Sequence, residues 1–221
     1  MTTTNAAERL TDVSDMYVVH RVFRREFVLI PQLIRQVAAG DTARAAVVGE
    51  HARLLLAGLD MHHTGEDALL WPKLLERNPP NAELVHRMEG QHHRVEELIS
   101  QLQESLTRWQ AEARPAVREE VASTFDQFRV ALLEHLDDEE QHILPIAARC
   151  VTQEEWNELG QHGIEKVTKA QLPLMFGALL EEATPPERKM MLSLVPIPVR
   201  VLLRTVFAWQ YRRWITRVRT P

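Results

Sequence analysis

The sequence predicts an all-α protein: an up-down-up-down antiparallel four-helix bundle followed by a helical C-terminal appendage. Three observations support this fold class. Apolar residues recur every three or four positions along four long segments, which is the period of a helix that buries one side. The turns between these segments are short, so consecutive helices run antiparallel. No segment shows the sustained two-residue alternation that is typical of a strand.

The four long helices follow one another along the first two thirds of the chain. Asp12 or Ser14 can cap the first helix, and Gly40 ends it. Asp41 can cap the second helix, and the Asn-Pro-Pro turn at 78–80 separates the second from the third. The predicted helices cover about 12–39, 41–77, 81–113 and 115–149.

We assign residues 1–150 to the bundle and residues 151–221 to a helical C-terminal extension that is basic at its end. Thr152 and Glu155 have the spacing of a capping box, so another helix begins there. Prolines between residues 173 and 198 divide the remainder into short pieces and one last helix, at about 198–219.

The composition is that of a globular protein with one ordinary domain, since 45% of its 221 residues are apolar and 26% are charged. The net charge of −5 combines −12 in residues 1–185 with +7 in residues 186–221. The acidic body argues against nucleic acid as a partner. The sequence has no export signal pattern, no apolar run of membrane-spanning length and a single cysteine, Cys150. We therefore expect a cytoplasmic protein.

Each long helix has an inward-facing apolar stripe that one histidine interrupts, and in the second and fourth helices a glutamate follows one turn later. The six interrupting residues are His20, His62, Glu66, His92, His135 and Glu139. Burying ionisable groups without partners costs several kcal/mol or more, so these groups should pair or bind metal. Four imidazoles and two carboxylates are an ordinary ligand set for a non-haem metal.

The two halves of the bundle repeat this pattern. Each half has a single His 42 or 43 residues before a His-x-x-x-Glu pair, and a Pro ten residues after the His of that pair. Both members of an i, i+4 pair lie on one side of a helix, where they can reach one metal ion or bridge two.

Over roughly residues 10–150 the chain resembles the haemerythrin-like, HHE cation-binding family. The segments that carry the resemblance are MYVVHRVFRREF, LDMHHTGEDALLWPKL, MEGQHHRVEEL and LEHLDDEEQHILPIA. The resemblance implies two non-haem iron ions, oxo- or hydroxo-bridged, inside the bundle. Glu66 and Glu139 are the natural bridging carboxylates, and each of the four histidines supplies one nitrogen.

Three further residues are secondary candidates for the metal site. Glu140 lies five residues after His135, where the respiratory haemerythrins have a carboxylate ligand. Glu96 follows His92 by four residues, and His93 precedes His135 by 42. The apolar stripe favours His92 over His93.

Several other polar residues are predicted to face solvent. His63 and Asp67 lie about 100° away from the stripe. His51 and His142 are interpreted as surface histidines, although both could line an approach to the site.

The third helix departs from the oxygen-carrying haemerythrins, which have two His one turn apart there. The residue four before His92 is Met88, and the residue four after it is Glu96. One nitrogen ligand of the carrier pattern is therefore missing or replaced. More open metal positions would favour reaction with O2, peroxide or NO over reversible O2 carriage.

The resemblance implies a di-iron protein that binds, senses or reacts with O2, NO or peroxide. The alternative is an enzyme that decomposes hydrogen peroxide or activates O2, and a weaker alternative is iron storage. The sequence identifies no dedicated catalytic acid or base.

The segment VPIPVRVLLRTVFAWQYRRWITRVR, residues 195–219, mixes apolar residues with six arginines. One interpretation is a peripheral membrane helix at the headgroup level. The other is a helix that docks on the bundle or on a second subunit. Docking is favoured because the apolar residues occupy more than one side of the helix.

Overall fold

The computed structural model describes residues 10–193 and 195–220. Every regular element in these two ranges is helical and none is a strand, as the sequence predicts. Four long helical segments carry the core: α1 (Ser14–Gln36), α2 (Thr42–Leu69) with α3 (Trp71–Arg77), α4 (Ala82–Glu112), and α5 (Pro115–Asp138) continued by a π-helical turn (Glu139–Ile143) and α6 (Leu144–Cys150).

Side-chain capping marks the start of α2, where Asp41 accepts a hydrogen bond from the Arg44 amide. The cap predicted for the first helix at Asp12 or Ser14 is absent, because Val13 is the N-cap residue and has no capping side chain; Asp12 accepts only from the Ser14 amide. Gly40 has a φ of 79°, a conformation that glycine adopts without strain, and it follows the end of α1. α1 ends at Gln36, three residues earlier than predicted.

The long segments pack in a closed ring, α1 on α2, α2 on α4, α4 on α5 and α5 on α1. At one end of the ring, the Thr11 amide donates to the Ala148 carbonyl (2.9 Å); at the other, the Gly40 amide donates to the Ala113 carbonyl (3.1 Å). Large fully buried side chains fill the centre, among them Phe27, Phe125, Phe128 and Trp109. Burying each such side chain stabilises the fold by about 2–3 kcal/mol.

Two of the four segments are interrupted near the same position relative to their His-x-x-x-Glu pairs, a feature that the sequence did not predict. The helix that was predicted to run to Arg77 is broken at Leu70, and the fourth widens into the π-helical turn at 139–143. Pro72 and Pro145 follow these interruptions. Proline has no amide hydrogen and its ring crowds the carbonyl four residues earlier, so the regular helix cannot continue unchanged.

The described part of the C-terminal extension contains five further helices: α7 (Gln153–Lys166), α8 (Leu172–Glu182), α9 (Pro185–Ser193), α10 (Ile197–Leu202) and α11 (Ala208–Arg219), with a π-helical turn at Leu203–Phe207 between the last two. The capping box predicted at Thr152 and Glu155 is present. The predicted last helix begins one residue earlier than expected, and the π-helical turn interrupts it.

α11 packs on α8 and α2 and joins the core of the four long segments. Tyr211, Ile215 and Val218 are buried in the same apolar cluster as Phe27 and Phe125. Arg219 donates to the buried carboxylate of Glu26 (2.7 Å). No helix in the described ranges combines the length and the apolar composition needed to cross a membrane.

Candidate metal centre

The six predicted ligands converge in the interior of the ring. α1 supplies His20, α4 supplies His92 and α5 supplies His135, while α2 supplies His62 with Glu66 and the π-helical turn supplies Glu139. All are buried except His62, whose side chain is 11% exposed. The structure adds one residue to this set, His63, which is 5% exposed.

These residues form two adjacent groups, in each of which one ligand atom per residue lies within 4.8 Å of the others. The first group is His20, His62, Glu66 and Glu139; the second is His63, Glu66, His92 and His135. Glu66 belongs to both groups. Its Oε1 lies 3.3 Å from His62 Nε2, and its Oε2 lies 3.4 Å from His92 Nε2.

Glu139 also contacts residues of both groups. Its Oε2 lies 3.2 Å from His20 Nε2 and 3.8 Å from His135 Nε2. The two carboxylates therefore lie between the two sets of imidazoles.

The unsatisfied polar atoms of the site show that a cation fits it. Both carboxylate oxygens of Glu66 and of Glu139, and Nε2 of His63, are buried without a hydrogen-bond partner among the described residues. Leaving such groups unpaired is costly. Nε2 of His62 lies 3.3 Å from Nε2 of His20, and a metal ion between converging lone pairs would satisfy both nitrogens. The donor set of imidazole and carboxylate suits non-haem iron.

Three of the imidazoles are oriented through their other ring nitrogen. His20 Nδ1 donates to Glu140 Oε1 (3.0 Å), His92 Nδ1 donates to Asp67 Oδ1 (2.7 Å) and His135 Nδ1 donates to Gln91 Oε1 (3.3 Å). In each case Nε2 is left to face the centre. Such outer partners fix the ring orientation and the tautomer of metal-binding histidines.

All three outer partners are held in turn by other side chains, Gln91 through Asp138, which accepts from its Nε2 (2.9 Å). Arg24 donates to the Glu140 carboxylate (3.0 Å), and the Trp71 indole donates to the same Asp67 oxygen that His92 contacts (2.7 Å). Trp71 is 1% exposed, so this chain of hydrogen bonds runs from the centre into the core.

The electrostatics of the centre separate the histidines into two classes. Burial alone lowers the pKa of His20 and of His92, but neighbouring carboxylates raise each to about 9. For His62 and His135, burial and the adjacent cationic imidazoles lower the pKa to about 3, against the effect of Glu139. The lowered pKa values favour the neutral imidazole, which is the form that binds a metal ion.

The two glutamates differ in the same way. Burial and the proximity of Glu139 raise the pKa of Glu66 to about 8. Burial also acts to raise the pKa of Glu139, but His20, His135 and His62 lower it to about 2. Opposed carboxylates in a buried site repel one another, and a bound cation would relieve that repulsion.

The secondary candidates lie outside the two groups. The His93 side chain is 74% exposed and pairs with Glu97, and the Glu96 side chain is 69% exposed. His92 is buried and His93 is exposed, as the apolar stripe of the helix predicts. Glu140 contacts the centre only through His20.

The prediction that His63 faces solvent is wrong. Its ring is stacked on that of His92 (4.0 Å between centroids) and lies edge-on to that of His135 (4.8 Å). The sequence contained a signal for this position, because residue 63 lies four after Leu59 and three before Glu66, both on the inward stripe. α2 therefore places two adjacent imidazoles at the centre, those of His62 and His63. The His63 ring offers a nitrogen in place of the one that the third helix lacks.

Two other surface assignments need correction. Asp67 is exposed over about half of its side chain (47%), as predicted, but its carboxylate also orients His92. His51 was predicted to lie at the surface and is buried, because α1 and α11 cover it. Its Nε2 donates to Glu26 (3.0 Å), and its Nδ1 accepts from the Trp214 indole (3.3 Å). His142 is exposed, as predicted.

A search of curated proteins found no match to this chain, and a search of solved structures found none either. A family model described as "Hemerythrin HHE cation binding domain" matches residues 11–147. These residues are more than half of the chain and include every member of both ligand groups. The chain therefore belongs to the hemerythrin HHE cation-binding domain family.

Proposed function

We propose that this protein holds two non-haem iron ions, with an oxo or hydroxo bridge between them, and binds O2 or NO at the iron pair. The observation that supports this proposal most strongly is the pair of adjacent candidate ligand groups that share Glu66. In this proposal the four long segments form the up-down-up-down bundle of the family, and the ions lie side by side in its interior.

The ligand groups assign the residues to the two ions. His20 and His62 would hold one ion, and His63, His92 and His135 would hold the other, with Glu66 and Glu139 between them. Iron in such donor sets retains open positions. The ion with two imidazoles has more of them than the ion with three.

Bound iron would supply an open position for a diatomic ligand and an exchange of electrons with it. The chain's own residues set the conditions for this chemistry. Glu140, Asp67 and Gln91 orient three of the imidazoles. Phe23 packs against the His62 ring (5.6 Å) and Trp71 against the His92 ring (5.6 Å), so apolar side chains restrict the access of water.

Five imidazoles favour binding or sensing over uncontrolled reaction. A missing nitrogen donor on the third helix would increase the reactivity of the iron pair, but His63 offers a further donor from α2. Because two of the five rings are adjacent residues of one helix, their positions are fixed by the same backbone.

Hydrogen peroxide decomposition is a second candidate. Its support is the asymmetry of the site, since the group with fewer nitrogen donors includes His62, the one ligand with an exposed fraction of 11%. Small ligands can therefore approach the ion that has more open positions.

Metal analysis is the first test. Purified protein should contain about two iron ions per chain, and His62→Ala should lower that number, whereas His93→Ala, at an exposed position, should leave it unchanged. If the purified protein holds no iron after loading and His62→Ala changes neither metal content nor stability, the site assignment is wrong.

The second test separates binding from enzymatic activity. The reduced protein is exposed to O2 and then deoxygenated while its absorption spectrum is recorded. A band that forms and then disappears on deoxygenation supports reversible binding. Irreversible oxidation together with O2 evolution from added hydrogen peroxide supports the enzyme instead.

A further inference from the structure

The stretch from residue 197 to residue 209 is an exposed apolar surface. Six of the ten large apolar side chains that are exposed among the described residues lie in these thirteen positions: Ile197, Val199, Val201, Leu202, Val206 and Trp209. Ile197 is 71% exposed and Trp209 is 53% exposed. A concentration of this kind on a globular protein marks an interaction site.

The rest of this C-terminal segment is anchored to the protein. Tyr211, Ile215 and Val218 are buried in the core, and Arg44 donates hydrogen bonds to the carbonyls of Arg217 and Val218. Between residues 196 and 206, by contrast, Leu203 alone is buried. The segment therefore docks through its second half and projects the apolar side chains of its first half outward.

The charge around this surface has one sign. Residues 188–221 contain eight Lys and Arg and no Asp or Glu. Four of these arginines, Arg204, Arg212, Arg213 and Arg217, are exposed, and their side chains make no ion pair within the part of the chain that the structure describes. The Arg213 guanidinium lies over the Trp209 ring, 5.7 Å from its centroid.

The remainder of the molecule has the opposite charge. Residues 1–185 carry a net charge of −12. The acidic side chains that contact α11 are already paired, because Glu181 pairs with Arg219 and Arg25, and Glu26 pairs with the same two arginines. An anionic surface would repel the acidic residues 1–185 and attract the basic end of the extension. The molecule would therefore approach such a surface with this end first.

We propose that the surface formed by residues 197–213 binds the anionic headgroup region of a phospholipid bilayer. Apolar side chains flanked by arginines, with a tryptophan among them, suit the boundary between headgroups and acyl chains. The apolar side chains would enter that boundary, and the long arginine side chains would reach the phosphates. The helix would lie along the membrane surface rather than cross it.

The dimensions favour a membrane over a second copy of the chain. Thirteen helical residues are about 20 Å long. The exposed half of a helix with a diameter of about 10 Å then offers roughly 300 Å², whereas a standard protein interface buries about 800 Å² per partner. Lipid binding needs no matching surface, since its strength grows with each apolar side chain inserted.

The test measures binding of the full-length, metal-loaded protein to two kinds of vesicle. One consists of phosphatidylcholine alone, and the other is an equimolar mixture of phosphatidylcholine and phosphatidylglycerol. We expect co-sedimentation with the mixed vesicles that weakens as salt is added. The double substitution Val201→Ser with Trp209→Ser should weaken binding by at least about tenfold, because it removes two inserted apolar side chains.

Two controls make the result specific. Val130→Ser changes a side chain of similar exposure (59%) on α5 and should bind as the unsubstituted protein does. Replacing Arg204, Arg212 and Arg213 by Gln should abolish the preference for the mixed vesicles. The proposal is overturned if the protein binds neither vesicle, if the double variant binds equally well, or if the protein is a dimer that the double variant converts to a monomer without lipid binding.

Discussion

His63 makes the most specific prediction at the residue scale. Its buried ring lies against His92 and His135 and has an unpartnered Nε2. We expect His63→Ala to weaken the binding of iron to the apoprotein by more than the roughly 10- to 100-fold that loss of an outer hydrogen-bond partner costs. Anaerobic titration with ferrous iron measures this.

His93 provides a matched control. Like His63, it is the second residue of a His-His pair, but its side chain is 74% exposed. His93→Ala should leave the iron affinity unchanged. Equal affinity in the two variants, with both folded by circular dichroism, would mean that His63 is a core residue and not a ligand.

Glu26 gives a prediction for pH dependence. Its carboxylate is 1% exposed, and burial would raise its pKa, but His51, Arg25 and Arg219 lower it from 4.5 to about 2. A lowered pKa stabilises the folded state above pH 4.5, and that contribution is lost as the pH falls from 4.5 toward 2. The contribution is about 3 kcal/mol.

The measurement compares the free energy of unfolding of the unsubstituted protein and of Glu26→Gln by urea titration at several pH values. The difference should be largest above pH 4.5 and should shrink below it. Glu119→Gln, which removes an exposed ion pair with Arg35, should change stability by less than about 1 kcal/mol at any pH. A Glu26→Gln difference that is independent of pH would contradict the assigned charge network.

The candidate ligands illustrate how much of the site local sequence can predict. Six residues were identifiable because a polar side chain on an apolar stripe is conspicuous. His63 was assigned to the solvent side. In a helix of 3.6 residues per turn, however, positions three and four residues apart share one side, and residue 63 lies four after Leu59 and three before Glu66. His51 was assigned to the surface because the helix that buries it, α11, is distant in sequence. No pattern around residue 51 indicates that α11 packs there.

At the element scale, the close approach of α8 and α11 depends on Gly177. A Cβ at this position would overlap Cγ of Tyr211 and would lie 2.5 Å from its Cβ. These atoms are near the backbone and cannot move aside freely. We expect Gly177→Ala to destabilise the protein by about 1–3 kcal/mol through overpacking, as measured by urea unfolding.

Gly160→Ala is the control for this substitution. Gly160 lies within α7, and a Cβ there would meet nothing within 4 Å. Alanine is the better helix former, so this change should stabilise by about 0.5–1 kcal/mol. If both substitutions stabilise the protein, Tyr211 does not contact Gly177 in solution.

The helix boundaries show a second limit of local sequence. Caps at Asp41 and Thr152 were predictable, because a cap depends only on a side-chain acceptor and the free amides within the next three residues. The break at Leu70 and the π-helical turn at 139–143 were not predicted. Pro72 and Pro145 signalled an irregularity, but a proline can end, bend or widen a helix, and the packing of its neighbours decides which.

At the scale of the whole molecule, the apolar core does not end at residue 150. Tyr211, Ile215 and Val218 belong to the same buried cluster as the side chains of the four long segments. Composition could indicate a separate extension, because the charge changes sign along the chain. It could not show which apolar residues of the extension face the core, since that depends on contacts between distant parts of the chain.

This continuity predicts that the four long segments and the extension unfold in one cooperative transition. Trp109 reports on the core between α4 and α5, and Trp214 reports on α11 beside His51. In variants that keep tryptophan at one of these two positions and carry Phe at the other four tryptophan positions of the chain, the urea transitions followed by fluorescence and by circular dichroism should coincide.

Ile215→Ala strengthens the test, because Ile215 is 7% exposed and its truncation should cost about 2–5 kcal/mol. If core and extension are one unit, this loss shifts both fluorescence transitions to lower urea together. Val206→Ala, which changes a 46% exposed side chain, should shift neither by more than about 0.5 kcal/mol. Two separate transitions, of which Ile215→Ala moves only the one reported by Trp214, would instead show that residues 151–221 fold as a domain of their own.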